Sequence, residues 1–198
     1  MSVMGDLLFY HSRGPDLGDV LRDHIANGLG KAADSVSEHD FATHSDEQLA
    51  EQLITRQAFK PLVVEFEKAQ PEVKEVTLNV SDYGQTIPVR GFRITKAIPF
   101  TGNVELWRLK PNSFDMNPPR GDIQRGKLVI GIELPEAQSA RAAEYLDETI
   151  KGIHRYLEWQ TAQIGQHNAS LLDQALPLVQ QRRVSLEKRA ALLKSLKG

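Results

Sequence analysis

The feature that most constrains this chain is a change in the spacing of its apolar residues. Before Pro61 they recur every three or four positions, from Pro61 to Pro135 they alternate, and beyond Pro135 the longer spacing returns. Leu62, Val64 and Phe66 alternate with Val63, Glu65 and Glu67, and Val76, Leu78 and Val80 with Thr77, Asn79 and Ser81. Three more runs come after them: Phe92, Ile94 and Ile98; Val104, Leu106 and Leu109; and Leu128, Ile130, Ile132 and Leu134. Each has one strongly apolar face, the pattern of an antiparallel sheet packed on one side, since strands of a parallel sheet are covered on both sides and read as continuous apolar runs. The connections at Ser81-Asp82-Tyr83-Gly84 and Phe100-Thr101-Gly102-Asn103 are turn-rich and too short for a crossover helix. The spacing therefore predicts a mainly antiparallel sheet of about five strands.

Helices flank it. Leu17, Val20, Leu21, His24, Ile25 and Leu29 mark an amphipathic helix over 16–36, with Gly28 and Gly30 at its C-terminal end. Ser45-Asp46-Glu47-Gln48 has the serine and the glutamine three residues on of a capping box, and Leu49, Leu53 and Ile54 supply a buried side. After Pro135, Ala143, Leu146, Ile150, Ile153, Leu157 and Ile164 form one stripe, predicting a helix of about 27 residues from Glu136. Gly165 or Asn168 is expected to end it, with Asn168 capping the next helix. Pro177 either sits in the first turn of a later helix or kinks a continuous one, and Leu178 to Leu196 reads as a more polar helix. The fold expected is α+β: residues 1–135 hold helices and then the sheet, and residues 136–198 form a long helical hairpin that packs on that domain or on a partner.

Composition narrows the chemistry. There is no cysteine, which excludes disulfides, thiolate metal sites and thiol catalysis and fits a reducing cytoplasm. The first residues lack the basic start and apolar run of a signal peptide, and no stretch approaches a membrane span. The six histidines show no four-residue spacing of the zinc-helix kind, so a metal site would have to be assembled from distant segments. There is no nucleophile elbow, no S-x-x-K and no P-loop; Gly28-Leu29-Gly30-Lys31 lacks the upstream glycine and the hydroxyl residue after lysine. No cofactor is implied.

Three places remain. Trp107, next to Arg108, offers a stacking surface for a ligand or a residue covered by another element. The stretch 110–126, with Pro111, Pro118, Pro119, Gly121 and Gly126, reads as a long irregular loop; its Asp115 and Asp122 are the carboxylates a hydrolase would use there, and with Arg120 and Arg125 they could hold a phosphate or a metal-bound water, or stand as a solvated loop with local ion pairs. The third is electrostatic. The net charge is only −2, but residues 1–60 carry ten acids against five bases, whereas 181–198 carry Arg182, Arg183, Lys188, Arg189, Lys194 and Lys197 against Glu187 alone. Arg182, Arg183, Lys188 and Arg189 on a helix could face phosphates, giving weak nucleic-acid binding, or stand as a solvated face suited to a helix C-terminus.

The series Ile98-Pro99-Phe100-Thr101-Gly102-Asn103, Leu106-Trp107, Lys110-Pro111-Asn112 and Asn117-Pro118-Pro119-Arg120-Gly121, then the long helix with Gln166-His167-Asn168 and Arg182-Arg183, resembles an uncharacterised bacterial module. Such modules lie upstream of effector domains, Toll/interleukin-receptor-like or nuclease, in anti-phage defence proteins. The resemblance spans about residues 60–190 and implies a segment of a larger protein, with no catalytic residues to carry over. With the absence of a catalytic motif, it leads to the expectation of a non-enzymatic sensor, scaffold or oligomerisation module whose partner is a second copy or an effector domain.

Overall fold

The computed structural model describes residues 2–82 and 85–196. The chain forms two compact units, each from two segments: Met1–Leu17 with Pro61–Thr161, and Gly18–Lys60 with Ala162–Gly198. The division expected at residue 135 is thus replaced by an interleaved one. An α+β fold is present, with an antiparallel sheet in the first unit.

Seven strands among the described residues build that sheet: β1 (Ser2–Val3), β2 (Asp6–Leu7), β3 (Val63–Val64), β4 (Gln70–Asp82), β5 (Gln85–Thr101), β6 (Arg120–Gln124) and β7 (Lys127–Pro135). All pairings are antiparallel, in the order β2-β6-β7-β5-β3, with β1 also on β7 and β4 also on β5. The ladder of β4 and β5 runs from Gln70↔Ala97 to Asp82↔Gln85, whereas β7 reaches along β5 only as far as Gly91. Beyond Gly91 the hairpin is therefore a two-stranded ribbon, and among the described residues β4 pairs with β5 alone. Of the expected turn at its tip, Tyr83 and Gly84 lie outside the described residues.

β7 carries the clearest alternation, and Leu128, Ile130, Ile132 and Leu134 on one of its faces are fully buried. Burial of such side chains stabilises by about 1.5–3 kcal/mol each. Ile132 and Leu134 pack against Ala142 at the start of α5 (Arg141–Ser195), with Ile94 and Tyr145 at the margin.

Two expectations for this unit are corrected. Residues 104–108 are a 3-10 helix, not a strand: Asn103 Oδ1 accepts from the Glu105 N–H at 3.0 Å, and Leu106 and Trp107, adjacent in sequence, are both buried. A strand would send neighbours to opposite faces. The stretch 110–126 is not wholly irregular, because it contains β6. The hairpin of β6 and β7 turns through Arg125 (φ 46°) and Gly126 (φ 79°), the two positive angles that a tight two-residue hairpin turn requires.

In the second unit, α1 (Leu17–Asp23) passes through a π-helical turn (His24–Leu29) into α2 (Gly30–Asp34), so Gly28 and Gly30 lie inside the helical run and cap nothing. α3 (Glu38–Thr43) and α4 (Asp46–Gln57) both open with complete capping boxes, at Ser37/Asp40 and at Ser45/Gln48. Leu29, Ala33, Val36, Leu49, Ala50, Leu53, Leu171, Ala175 and Val179 form one buried cluster, which ties these helices to α5.

The expected C-terminal hairpin is a single helix of 55 residues. Gly165 does not end it, and Asn168 caps no new one. The Asn168 side chain instead brackets the Phe59 backbone, accepting from its N–H at 3.1 Å and donating to its carbonyl at 2.9 Å. Pro177 sits within the helix on its exposed side. Of the expected inward stripe, Leu146, Ile153 and Ile164 are buried, Ile150 and Leu157 half-buried and Ala143 exposed, and Ala142, Thr149, Tyr156, Gln160 and His167 join the buried side. Thr149, Gln160 and His167 are polar, so apolar counting misplaces the stripe's centre. Among the described residues no helix is long and apolar enough to cross a membrane.

Candidate functional site

In the sheet unit the loop before β6 is fastened to α5 by Tyr156. Its hydroxyl accepts from the Asp115 N–H at 2.9 Å and lies 3.0 Å from the Asp115 carbonyl, to which it donates, while Arg155 Nη1 meets the Asp115 carboxylate at 2.7 Å. Burial raises the Tyr156 phenol above its usual range, which keeps it a neutral donor. A cleft of about 590 Å³ opens beside this clamp, lined by Asp115, Met116, Arg120, Glu148, Arg155 and others but not by Asp122. The two carboxylates of the hydrolase reading therefore do not share it, and Asp115 is committed to Arg155. Asp122 pairs with Val129 in the sheet. Arg120 donates from Nη1 to the Gly5 carbonyl at 3.2 Å.

Trp107 is 1 % exposed, with Phe9 and Phe100 each 5.3 Å away between ring centroids. It is a core residue and presents no face on which a ligand could stack. Gln160, equally buried, donates to the carbonyls of Leu106 and Leu109 and so anchors the 3-10 helix.

In the helical unit two histidines 143 positions apart meet. His24 Nδ1 lies 3.0 Å from His167 Nε2, and His24 Nε2 lies 3.4 Å from Gln57 Oε1. Phe59 sets its ring edgewise against both imidazoles. Burial, and secondarily the neighbouring His24, lower the pKa of His167 from its ordinary value. Only tertiary structure brings this pair together. No group of three or more possible metal ligands occurs among the described residues.

The basic patch divides into two parts. Arg182 donates from Nε to the Val36 carbonyl at 3.1 Å, and Arg183 binds the Asp46 carboxylate at 2.7 Å while lying 4.6 Å over the Phe41 ring. Both arginines therefore serve the unit's own packing. Lys188, Arg189 and Lys194 are exposed, and Lys197 lies outside the described residues.

Here the apolar stripe of α5 outruns its cover. Leu171, Ala175, Val179 and Leu186 succeed one another at helical spacing and are all buried. The next stripe positions, Leu193 and Leu196, are 48 % and 82 % exposed, and Leu192 beside them is 64 % exposed. Every residue of 187–196 is exposed, yet the stretch stays helical to Ser195. Comparison with protein-family models, with curated proteins and with solved structures yields no match for this chain.

Proposed function

We propose that the protein is a non-enzymatic oligomerisation module that works through the last turns of α5, by packing the leucines of one copy against those of another. The observation that carries this reading is the continuation of a buried stripe, Leu171 to Leu186, into exposed Leu192, Leu193 and Leu196. An isolated exposed leucine needs no explanation, but three on adjoining turns form an apolar patch of the kind found at protein contacts. The resemblance to modules placed upstream of effector domains fits a scaffold role, in which association of the modules would bring effector domains together.

The test is sedimentation equilibrium over a range of concentration. Wild-type protein is expected to move from one-chain to two-chain mass, and the double variant Leu193→Glu/Leu196→Glu to remain a monomer with unchanged helix content by circular dichroism. A wild-type protein that stays monomeric up to the highest soluble concentration would sink the reading.

A further inference from the structure

Against the Tyr156 clamp of the sheet unit lies a second pocket, of about 330 Å³, whose lining includes Phe9, Tyr10, Lys110, Phe114, Met116 and Tyr156. Phe9 takes a left-handed backbone angle (φ 53°), which a bulky residue rarely adopts. With that turn Leu8 and Phe9, neighbours in sequence, are both buried, and the chain comes out again at Tyr10, 45 % exposed. The Phe9 ring stacks on Tyr156, with 5.0 Å between centroids and 15° between planes, so two fully buried rings form the floor. Tyr10 and Phe114, both exposed, stand at the rim.

Four aromatic side chains around a space of this size suit a flat apolar body, since small-molecule sites begin at about 300 Å³ and are mostly apolar with a few placed polar groups. Charge decides what that body carries. The Lys110 ammonium lies 4.4 Å from the centre of the Phe114 ring and pairs with no carboxylate among the described residues. Asp115, the carboxylate in the lining, is held by Arg155 at 2.7 Å. Aromatic rings beside a free carboxylate would suit a quaternary ammonium. Here the uncommitted charge is positive, so a cation is repelled and an anion is drawn in.

We infer that this pocket binds a small planar organic acid, with its ring system against Phe9, Tyr10 and Phe114 and its anionic group on the Lys110 ammonium. The pocket belongs to the sheet unit and the exposed leucines of α5 to the helical one, so ligand binding here stands or falls apart from association of the helix ends.

Anilinonaphthalene sulfonate, a flat fluorescent acid, is the probe, and phenylnaphthylamine, the same ring body without the sulfonate, is its neutral control. Titrated into the full chain, the sulfonate is expected to saturate at one site per chain. Lys110→Met should weaken it at least about tenfold and leave the neutral dye bound no more weakly, while Lys110→Arg, which keeps the charge, should bind both as wild type does. Phe114→Ala should weaken both dyes, and Leu193→Glu/Leu196→Glu should change neither. Thermal melts check that each variant is folded. Naphthoate is expected to displace the sulfonate, and tetramethylammonium to leave it in place. Binding that never saturates, a wild-type affinity in both Lys110→Met and Phe114→Ala, or displacement by tetramethylammonium would each overturn the site. Equal loss of both dyes in Lys110→Met would overturn it too, since the lysine would then shape the wall without holding the acid. If Leu193→Glu/Leu196→Glu abolishes the signal, the dye sits on the helix end and the pocket is not its site.

Discussion

His167 meets His24 with one ring nitrogen turned toward another, 3.0 Å away, and this geometry holds a single shared proton. Burial, and secondarily the neighbouring His24, make the folded protein resist charging His167. The pKa of His167 is lowered in the folded state from its ordinary 6.5, so as pH falls the unfolded chain takes up the proton first. Stability contributed by the site is therefore complete above about 6.5, declines as pH drops below that value, and levels off under the folded pKa. Urea midpoints measured across this range are expected to fall toward acid in the wild type and to change less in His167→Leu. An equal slope in the two proteins would contradict the assignment. At the same scale, Tyr156→Phe removes the hydroxyl that serves both the N–H and the carbonyl of Asp115. It should cost about 1–3 kcal/mol and make the loop before β6 more easily cut by protease. The contacts were not legible beforehand: His24 and His167 could be placed on helices, but no spacing links residue 24 with 167 or 115 with 156.

Elements were legible where one local cause dominates. β7 alternates because one face is buried from end to end, and α4 begins at Ser45 because its side chain accepts from the Gln48 N–H. Ser45→Ala is accordingly expected to lower stability by about 1 kcal/mol, read from a denaturant melt. Misreadings arose where a local signal was overridden by packing. Gly165, Asn168 and Pro177 are ordinary punctuation, yet α5 runs through all three because its inward side is held at Ile164, His167, Leu171, Ala175 and Val179. Pro177 has no N–H for the carbonyl of Asp173, four residues before it. Pro177→Ala restores that hydrogen bond, and should raise the melting temperature without altering the helix content. A lower melting temperature would mean that the proline is relieving strain there. The strand expected around Trp107 failed for a related reason: alternation was read from Val104, Leu106 and Leu109, but Leu106 and Trp107 are buried together.

At the scale of the whole molecule, the sequence disclosed an α+β fold and an uneven charge, but not the interleaving of its two units. Each unit takes one segment from the first 60 residues and another from beyond residue 60, and α5 supplies residues to both. Composition runs in chain order, so it cannot register such an arrangement. The candidate site was half legible. Lys188 and Arg189 were singled out for their charge, while the exposed leucines after them blended into the helical stripe. Only burial separates Leu186, at 6 % exposure, from Leu193 at 48 %.

β4, paired on one side only, bears on how the protein behaves in concentrated solution. A long unpaired strand edge is a template on which further chains add, and here the open strand carries Pro71, Glu72, Lys74 and Glu75 along its first half. Proline offers no donor to an incoming strand, and the charges make each added strand lose water at a cost. Val73 among them is 62 % exposed, the apolar residue those neighbours guard. Replacing Glu72, Lys74 and Glu75 together by threonine, a good strand former, should leave the fold intact and turn a clear solution cloudy on standing, with thioflavin-positive material in the pellet.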